Sequence, residues 1–444
     1  MILSIRRPWL TFAAFAAMAA CSTAPDSSAP GPITSGSGGA AGMIAPGGTG
    51  GTGGIGGTSG IGGQGGIGGA PAGGVGGTPS MDGGPGPILD AGGSMDMDAR
   101  ATGGTGGSSG AGGAGGGSGD PSCEGGSQVD LALIGWAAES GGTTGGKGGA
   151  TVTVSDGAAL VQALSDQQDS STPLTIMVSG TLTEANSGGA SKFDVKDVRD
   201  VSIIGAGDGA ELDGIGIKIV RASNIVIRNL RIHNVTSGDK DAISIEGPAD
   251  HIWIDHCELY AEYQGVDKDF YDGLLDVKAD AEYITYSWNY LHDSWKTSLV
   301  GSSEDDTFDR KITMHHNRYE NCNSRLPLFR GGNGHVFNNY YVDIADTAIN
   351  SRLGGCLRIE ANYFDNAKNP WVSAYSDELG GGELLCNVLS ADSIFEFASD
   401  VQELPTCSAT VPYDYAAVLN HPDQVPAVVM DNAGVGKLTD PAQF

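Results

Sequence analysis

Seven short runs rich in Val, Ile and aromatic residues follow one another through the second half of the chain with no helical stretch between them: DVSIIG, NIVIRNLRI, HIWIDHCEL, YITYSWNYL, KITMHHNRY, HVFNNYY and LRIEANYF. Aligned on one another, they place Asn229, His256, Asn289, Asn317, Asn339 and Asn362 in corresponding positions, at spacings of 27, 33, 28, 22 and 23 residues. One strand-bearing turn per 22 to 33 residues is the signature of a solenoid, in which each turn buries its apolar face only by stacking on the next. The predicted fold is all-β, a parallel β-helix with asparagines stacked in an amide ladder along one bend. A sandwich or propeller would need many two-residue hairpin turns, which are scarce here. Longer intervals, such as that between His256 and Asn289, should project from one face and build a groove.

The repeat occupies only part of the chain, so composition has to be read by region. The first 21 residues carry Arg6 and Arg7, an apolar run and a small-residue site ending at Cys21. This is an export signal, too short and too early for a stable membrane span. The ending Met18-Ala-Ala-Cys21 resembles a bacterial lipobox, which implies cleavage before Cys21 and lipidation of Cys21. An ordinary cleaved signal is the alternative. Residues 22–122 are a Gly, Ala, Ser, Thr and Pro tract with almost no aromatics, which is expected to stay disordered as a tether because it cannot bury enough apolar surface to offset its chain entropy. Normal apolar density returns for a domain spanning 123–444. There Asp156 should cap a short helix carrying Leu160, Val161 and Leu164, and 174–178 should form a strand.

Lys and Arg number 24 against 53 Asp and Glu, a net charge of -29, which excludes nucleic acid as a whole-protein partner. Membrane contact is expected only through the lipid anchor at Cys21. A polyanionic ligand would need local cations or a bridging metal. Local cations are present in the stretch 310–341, where Arg325 and Arg330 sit five residues apart between two β-type runs. Planar guanidinium forks match carboxylates in two-point contacts; pairing with nearby Asp or Glu is the plainer reading. Lys296 follows the preceding strand and would lie beside the arginines if the turns stack in register. Asp241, Asp272 and Asp276 are carboxylates that would repel one another in a shared groove unless a cation joined them, and hard oxygen ligands suit Ca²⁺. Taken singly they read as solvated loop residues. Six cysteines besides Cys21 permit disulfides in an exported domain, but allow 15 full pairings.

The segments GGTTGGKGG, WIDHCEL, DGLLDVK with YITYSWNYLHD, KTSLVGSS, ITMHHNRYENCNSRLPLFR and HVFNNYY occur in the order seen in pectate lyases of polysaccharide lyase family 1, which the domain resembles from about residue 132 onward. The resemblance implies a right-handed parallel β-helix that cleaves polygalacturonate, the acidic polymer of pectin, by Ca²⁺-assisted β-elimination to 4,5-unsaturated products. It further implies that Asp241, Asp272 and Asp276 bind calcium, that Arg325, first arginine of RxPxxR, is the base, and that Lys296 and Arg330 hold substrate carboxylates. His256, in WIDH, would be structural. Trp295, Leu328 and the pair Gly331-Gly332 depart from the common pattern and bear on subsite preference. Arg325 as base carries a chemical demand, since a guanidinium ordinarily stays charged and packed cations are needed to make its proton easier to lose.

The competing readings are a pectin lyase acting on methyl-esterified polymer without Ca²⁺, a β-helix hydrolase and a non-catalytic polysaccharide-binding surface protein. The first has no use for three metal-competent aspartates. The second needs an acid and base carboxylate pair flanking the scissile bond, and no such motif set is found. The third has no reason to keep Arg325, Lys296 and the aspartates together. The expected product of this chain is a secreted monomer held at the cell surface or outer membrane.

Overall fold

The computed structural model describes residues 125–126 and 128–444. The signal, Cys21, the glycine-rich tract and Cys123 lie outside them. Among the described residues the strands sort into three long sheets, of ten, nine and nine strands, each built almost wholly from parallel neighbours one turn apart in sequence. The domain is a parallel β-helix, as the repeat predicted.

In-register stacking of like residues explains why these sequences fold this way. In the ten-strand sheet Ile203, Ile227, Ile254, Tyr286, Met314, Val336 and Ile359 are successive register partners, and all are buried. In one nine-strand sheet the corresponding column carries three successive aromatics before its last residue, Leu389. Tyr319 stacks on Tyr341 at 4.9 Å and Tyr341 on Phe364 at 4.5 Å between ring centroids. Each such side chain contributes about 1.5–3 kcal/mol of burial, but only when the next coil covers it.

The amide ladder is present, in a register different from the sequence alignment. Asn289 donates from Nδ2 to Asn317 Oδ1, Asn317 to Asn339, Asn339 to Asn362 and Asn362 to Asn387, each at 3.0 Å. Each acceptor oxygen also takes the backbone N–H of the preceding rung. On the N-terminal side it is Cys257, not His256, whose N–H meets Asn289 Oδ1 at 2.9 Å. Asn229 and His256 instead occupy the neighbouring left-handed position, with φ of 58° and 48°, in the column of Trp288, His316 and Asn338. The bend tolerates Asn in either column, because Asn enters the left-handed region readily.

The expected helix forms as Gly157–Gln167, and Asp156 caps it by accepting the N–H of Ala159. It covers the first coil through Leu160 and Leu164. At the other end the antiparallel strand Val401–Glu403 closes the sheet edge against Trp371–Ala374. The segment 413–444 runs back along the outside of the stack. Asn420 bonds Asn338 and His316, Val425 and Val429 of helix Val425–Asn432 pack on Tyr340, Gly434 N–H reaches Trp288 O, and Phe444 rests edge-on against Trp253. Cys356 and Cys407 form a disulfide, whereas Cys257 and Cys322 are free and buried as small apolar residues.

The face that carries the candidate site residues is the second nine-strand sheet, whose strands Phe193–Lys196, Ile217–Val220, Ile243–Glu246, Leu275–Lys278, Leu299–Val300, Leu328–Arg330, Ile349–Arg352 and Trp371–Ala374 form the floor of a groove. The insert 261–274 rises at the bend before Leu275–Lys278, and the loop 301–309 follows Leu299–Val300 on the opposite rim.

Candidate active site

Alternation along the strand decides which groups reach the groove. Within Leu275–Lys278, Leu275 and Val277 point into the core, so Asp276 and Lys278 share the outer face. Asp276 is nonetheless almost fully covered, because the insert folds over it. The cover requires glycine at position 273, where a Cβ would stand 2.3 Å from the Asp276 carboxylate. Asp241 comes from the coil before and is also buried. Each carboxylate is oriented by a backbone donor, Gly273 N–H to Asp241 at 3.0 Å and Leu299 N–H to Asp276 at 2.9 Å.

Lys278 stands between them, with Nζ 2.6 Å from Asp241 Oδ2 and 3.5 Å from Asp276 Oδ2. Burial, and then the negative charge of Asp241, push the Asp276 carboxyl up to about 7. Asp241 is raised as well, chiefly by burial and against the pull of Lys278. One ammonium therefore does not fully compensate the pair. Asp272 sits higher on the rim, part exposed, with its Oδ1 3.3 Å from Lys296 Nζ, which also contacts Asp269 at 2.7 Å. Among the described residues no three acidic, His or Cys side chains stand close enough to cage an ion as they are. The donor chemistry nevertheless fits a hard divalent cation: three aspartates on adjoining coils, two of them buried and short of positive charge.

Two coils on, the cations gather. Lys296 is the register partner of Ser324, so Arg325 emerges beside it. Arg325 is in the left-handed region, at φ 68°, a conformation that persists for a long side chain only where its surroundings enforce it. Ser298 N–H donates to Arg325 O at 2.6 Å and fixes the bend. Arg330, at the end of its strand, donates from Nη1 to Gly301 O. Behind it, buried Arg310 pairs with Asp306 and donates to Arg330 O at 3.1 Å, which ties the loop 301–309 to the floor. Arg352 is the register partner of Arg330 one coil further along. Burial, helped by Arg330 and Arg325, brings Arg352 down to about 10, and burial with Arg325 lowers Arg330. Arg330 and Arg352 each keep a buried Nε without a partner. Neither they nor Arg325 has an ion pair among the described residues, although the chain as a whole is strongly acidic. A patch of this kind has charge left to offer an anionic ligand.

The structure thus brings all six expected residues to one groove over four coils. Lys278 and Arg352 are additions. Lys278 lies in DGLLDVK, two residues after Asp276, and the strand alternation alone would have placed it on the same face. His256 is elsewhere: buried, with Nδ1 2.7 Å from Asp255, which also pairs with Arg228 at 2.8 Å. Beside Lys278 the groove widens into a cleft of about 400 Å³ lined by Glu246, Ser302, Ser303, Asp305 and Phe308. A wider depression of about 510 Å³ at Asp197, Arg199 and Arg221 is remote from these groups.

The pectate lyase family profile matches residues 127–438. The chain belongs to the pectate lyase family. It is 54% identical over 313 residues to a pectate trisaccharide-lyase of Bacillus licheniformis, a match covering 70% of this chain and 88% of that protein. Identity to pectate lyase A of Aspergillus niger is 36% over 310 residues, covering 69% and 88%. Among solved structures it is similar to a pectate lyase of Bacillus sp. N165 in complex with trigalacturonate, with TM-score 0.64, 40% identity, and coverage of 69% of this chain and 99% of that one. Pectate lyase C of Erwinia chrysanthemi gives TM-score 0.60 at 28% identity, covering 69% and 97%. As a pectate lyase the protein is a polysaccharide lyase, and its groove is where that chemistry is to be sought.

Proposed function

We propose that this pectate lyase cleaves α-1,4-linked polygalacturonate by Ca²⁺-dependent β-elimination, leaving 4,5-unsaturated oligogalacturonates. The observation that carries the proposal is the juxtaposition, in one groove, of three arginines without carboxylate partners among the described residues and a buried, under-compensated aspartate pair. A uronate polymer supplies the missing anions to the first and shares a cation with the second.

Arg325, at the bend over the floor, removes the proton from C5 of the bound uronate. The C–H electron pair forms the C4–C5 double bond as the C4–O4 bond breaks with its electron pair on O4, and the departing alkoxide takes a proton from water. Negative charge grows beside the uronate carboxylate as the proton moves, so donors aimed at that carboxylate lower the barrier more than they tighten ground-state binding. Lys296 and Arg330 serve as those donors. Asp241, Asp272 and Asp276 would hold Ca²⁺, which when bound supplies charge neutralisation at the uronate carboxylate. The domain works outside the cytoplasm as a monomer, tethered through a lipid at Cys21.

The test follows ultraviolet absorbance of the unsaturated product on polygalacturonate, with Ca²⁺ and with chelator, for wild type and Arg325→Ala. A Ca²⁺-dependent rise lost in the variant supports the proposal. A rise only on methyl-esterified pectin with chelator present assigns a pectin lyase, and silence on both substrates assigns a binding protein.

A further inference from the structure

The cations of the floor form a row along the solenoid axis, Lys278, then Arg330, then Arg352, the last two in register. A polyanion lying on them runs along that axis. One coil beyond Arg352 the row has no further cation: the floor strand ends at Ala374, and Tyr375 follows it. Its backbone is on the rim where the floor strand Trp371–Ala374 ends, with Tyr375 N–H bonded to Asp400 O at 2.7 Å. Its phenol oxygen, however, lies 3.2 and 3.4 Å from the two carboxylate oxygens of Asp346. Asp346 belongs to the bend that leads into Ile349–Arg352, on the same rim as Arg325, since Leu326 N–H bonds Ala348 O at 2.9 Å. The phenol therefore crosses the groove from rim to rim over the last parallel coil, while the antiparallel strand Val401–Glu403 closes the sheet edge beneath it.

We propose that the Tyr375–Asp346 bridge is an end wall of the substrate groove and sets the length of the released product. The inference rests on the lyase reading above. Coils in this architecture are spaced by about 4.8 Å, so two steps, about 10 Å, separate the coil of Arg325 from that of Tyr375. The spacing resembles the length of a uronate unit, and the phenol leans back over the coil of Arg352, which leaves room for about one residue beyond the reacting coil and makes a product of about two residues. The wall acts by charge as well as by shape. Arg352, whose Nη1 donates to Tyr375 O, accepts the terminal uronate, whereas Asp346 repels any further one. Burial and the adjacent Asp346 push the phenol up to about 12, so it remains a donor under alkaline conditions and the bridge persists there.

The discriminating measurement is the length distribution of unsaturated products over time, by chromatography with mass detection, together with viscosity loss per bond cleaved. Wild type should release a narrow class of short oligomers from the outset. Tyr375→Ala should lengthen and broaden that class by one uronate residue or more and raise viscosity loss per bond severalfold, with Tyr375→Phe, which keeps the ring but not the bond to Asp346, falling between. A product distribution in Tyr375→Ala that matches wild type, or a broad mixture from wild type at the start, overturns the wall. No unsaturated product from any of the three proteins would instead overturn the lyase reading itself.

Discussion

Lys278 and Asp241 are held at 2.6 Å from one another across adjacent coils, and the same ammonium lies 3.5 Å from Asp276. Among the described residues it is the one cation that forms an ion pair with either of these two buried carboxylates. Lys278→Met removes it and leaves both charges uncompensated, at a cost of about 3 kcal/mol in chelator. Because a divalent ion would take over the compensation, added Ca²⁺ should recover most of that loss. Thermal unfolding with and without Ca²⁺ checks this; an unfolding temperature indifferent to Ca²⁺ in both proteins would contradict the metal assignment.

The arginines separate by role in steady-state kinetics. Arg325→Ala should lower kcat by about a hundred- to ten-thousand-fold with little change in KM, the range expected when a proton-transferring group is lost. Arg330→Ala should weaken both parameters, since its guanidinium meets the carboxylate before and during proton removal. If Arg325→Ala raises KM alone, Arg325 binds substrate and the base lies elsewhere.

The ladder predicts a stability effect remote from the groove. Asn317 Oδ1 accepts both the backbone N–H and the side-chain amide of Asn289, at 3.0 Å each, in a fully buried setting. Asn317→Ala leaves two buried donors unpaired and should cost about 3 kcal/mol or more. Denaturant unfolding measures it, and a loss under about 1 kcal/mol would show that the rung is not under that constraint.

Acid sensitivity should come partly from the histidine column. Burial pushes His316 down to about 4, and its Nε2 pairs with Asn420 Oδ1 at 2.9 Å. The unfolded chain, with a histidine near its ordinary value of about 6.5, binds the proton more readily, so this residue's share of stability is present near neutrality and is lost as pH falls from about 6.5 to about 4, some 3 kcal/mol in total. His316→Gln should flatten that part of the stability-pH curve; an unchanged slope would place the acid sensitivity in other groups.

The architecture was legible because each strand run buries its own β-branched residues and repeats once per coil. That six charged residues share one groove was legible through motif resemblance, whereas the roles given to them belong to the proposal above. The ladder register was off by one at Asn229 and His256 because the left-handed bend position accepts the same residue types as the rung beside it, and residue identity alone does not separate the two. Lys278 could have been found from the two-residue period with Asp276. Arg352 and Tyr375 could not, since they stand far from the motifs in sequence and meet them only through stacking. The Cys356–Cys407 pairing likewise depends on coils 51 residues apart being brought together.

The outer segment 413–444 touches coils near Asn338, Tyr340, Trp288 and Trp253 in turn. A bare solenoid has only nearest-neighbour contacts and can fray from either end. Here a lashing runs across several coils at once, so loosening one coil loosens the lashing over the others. Unfolding is therefore expected to be a single concerted event through the middle of the stack, and the groove, which spans those same coils, keeps its shape until the whole lashing lets go.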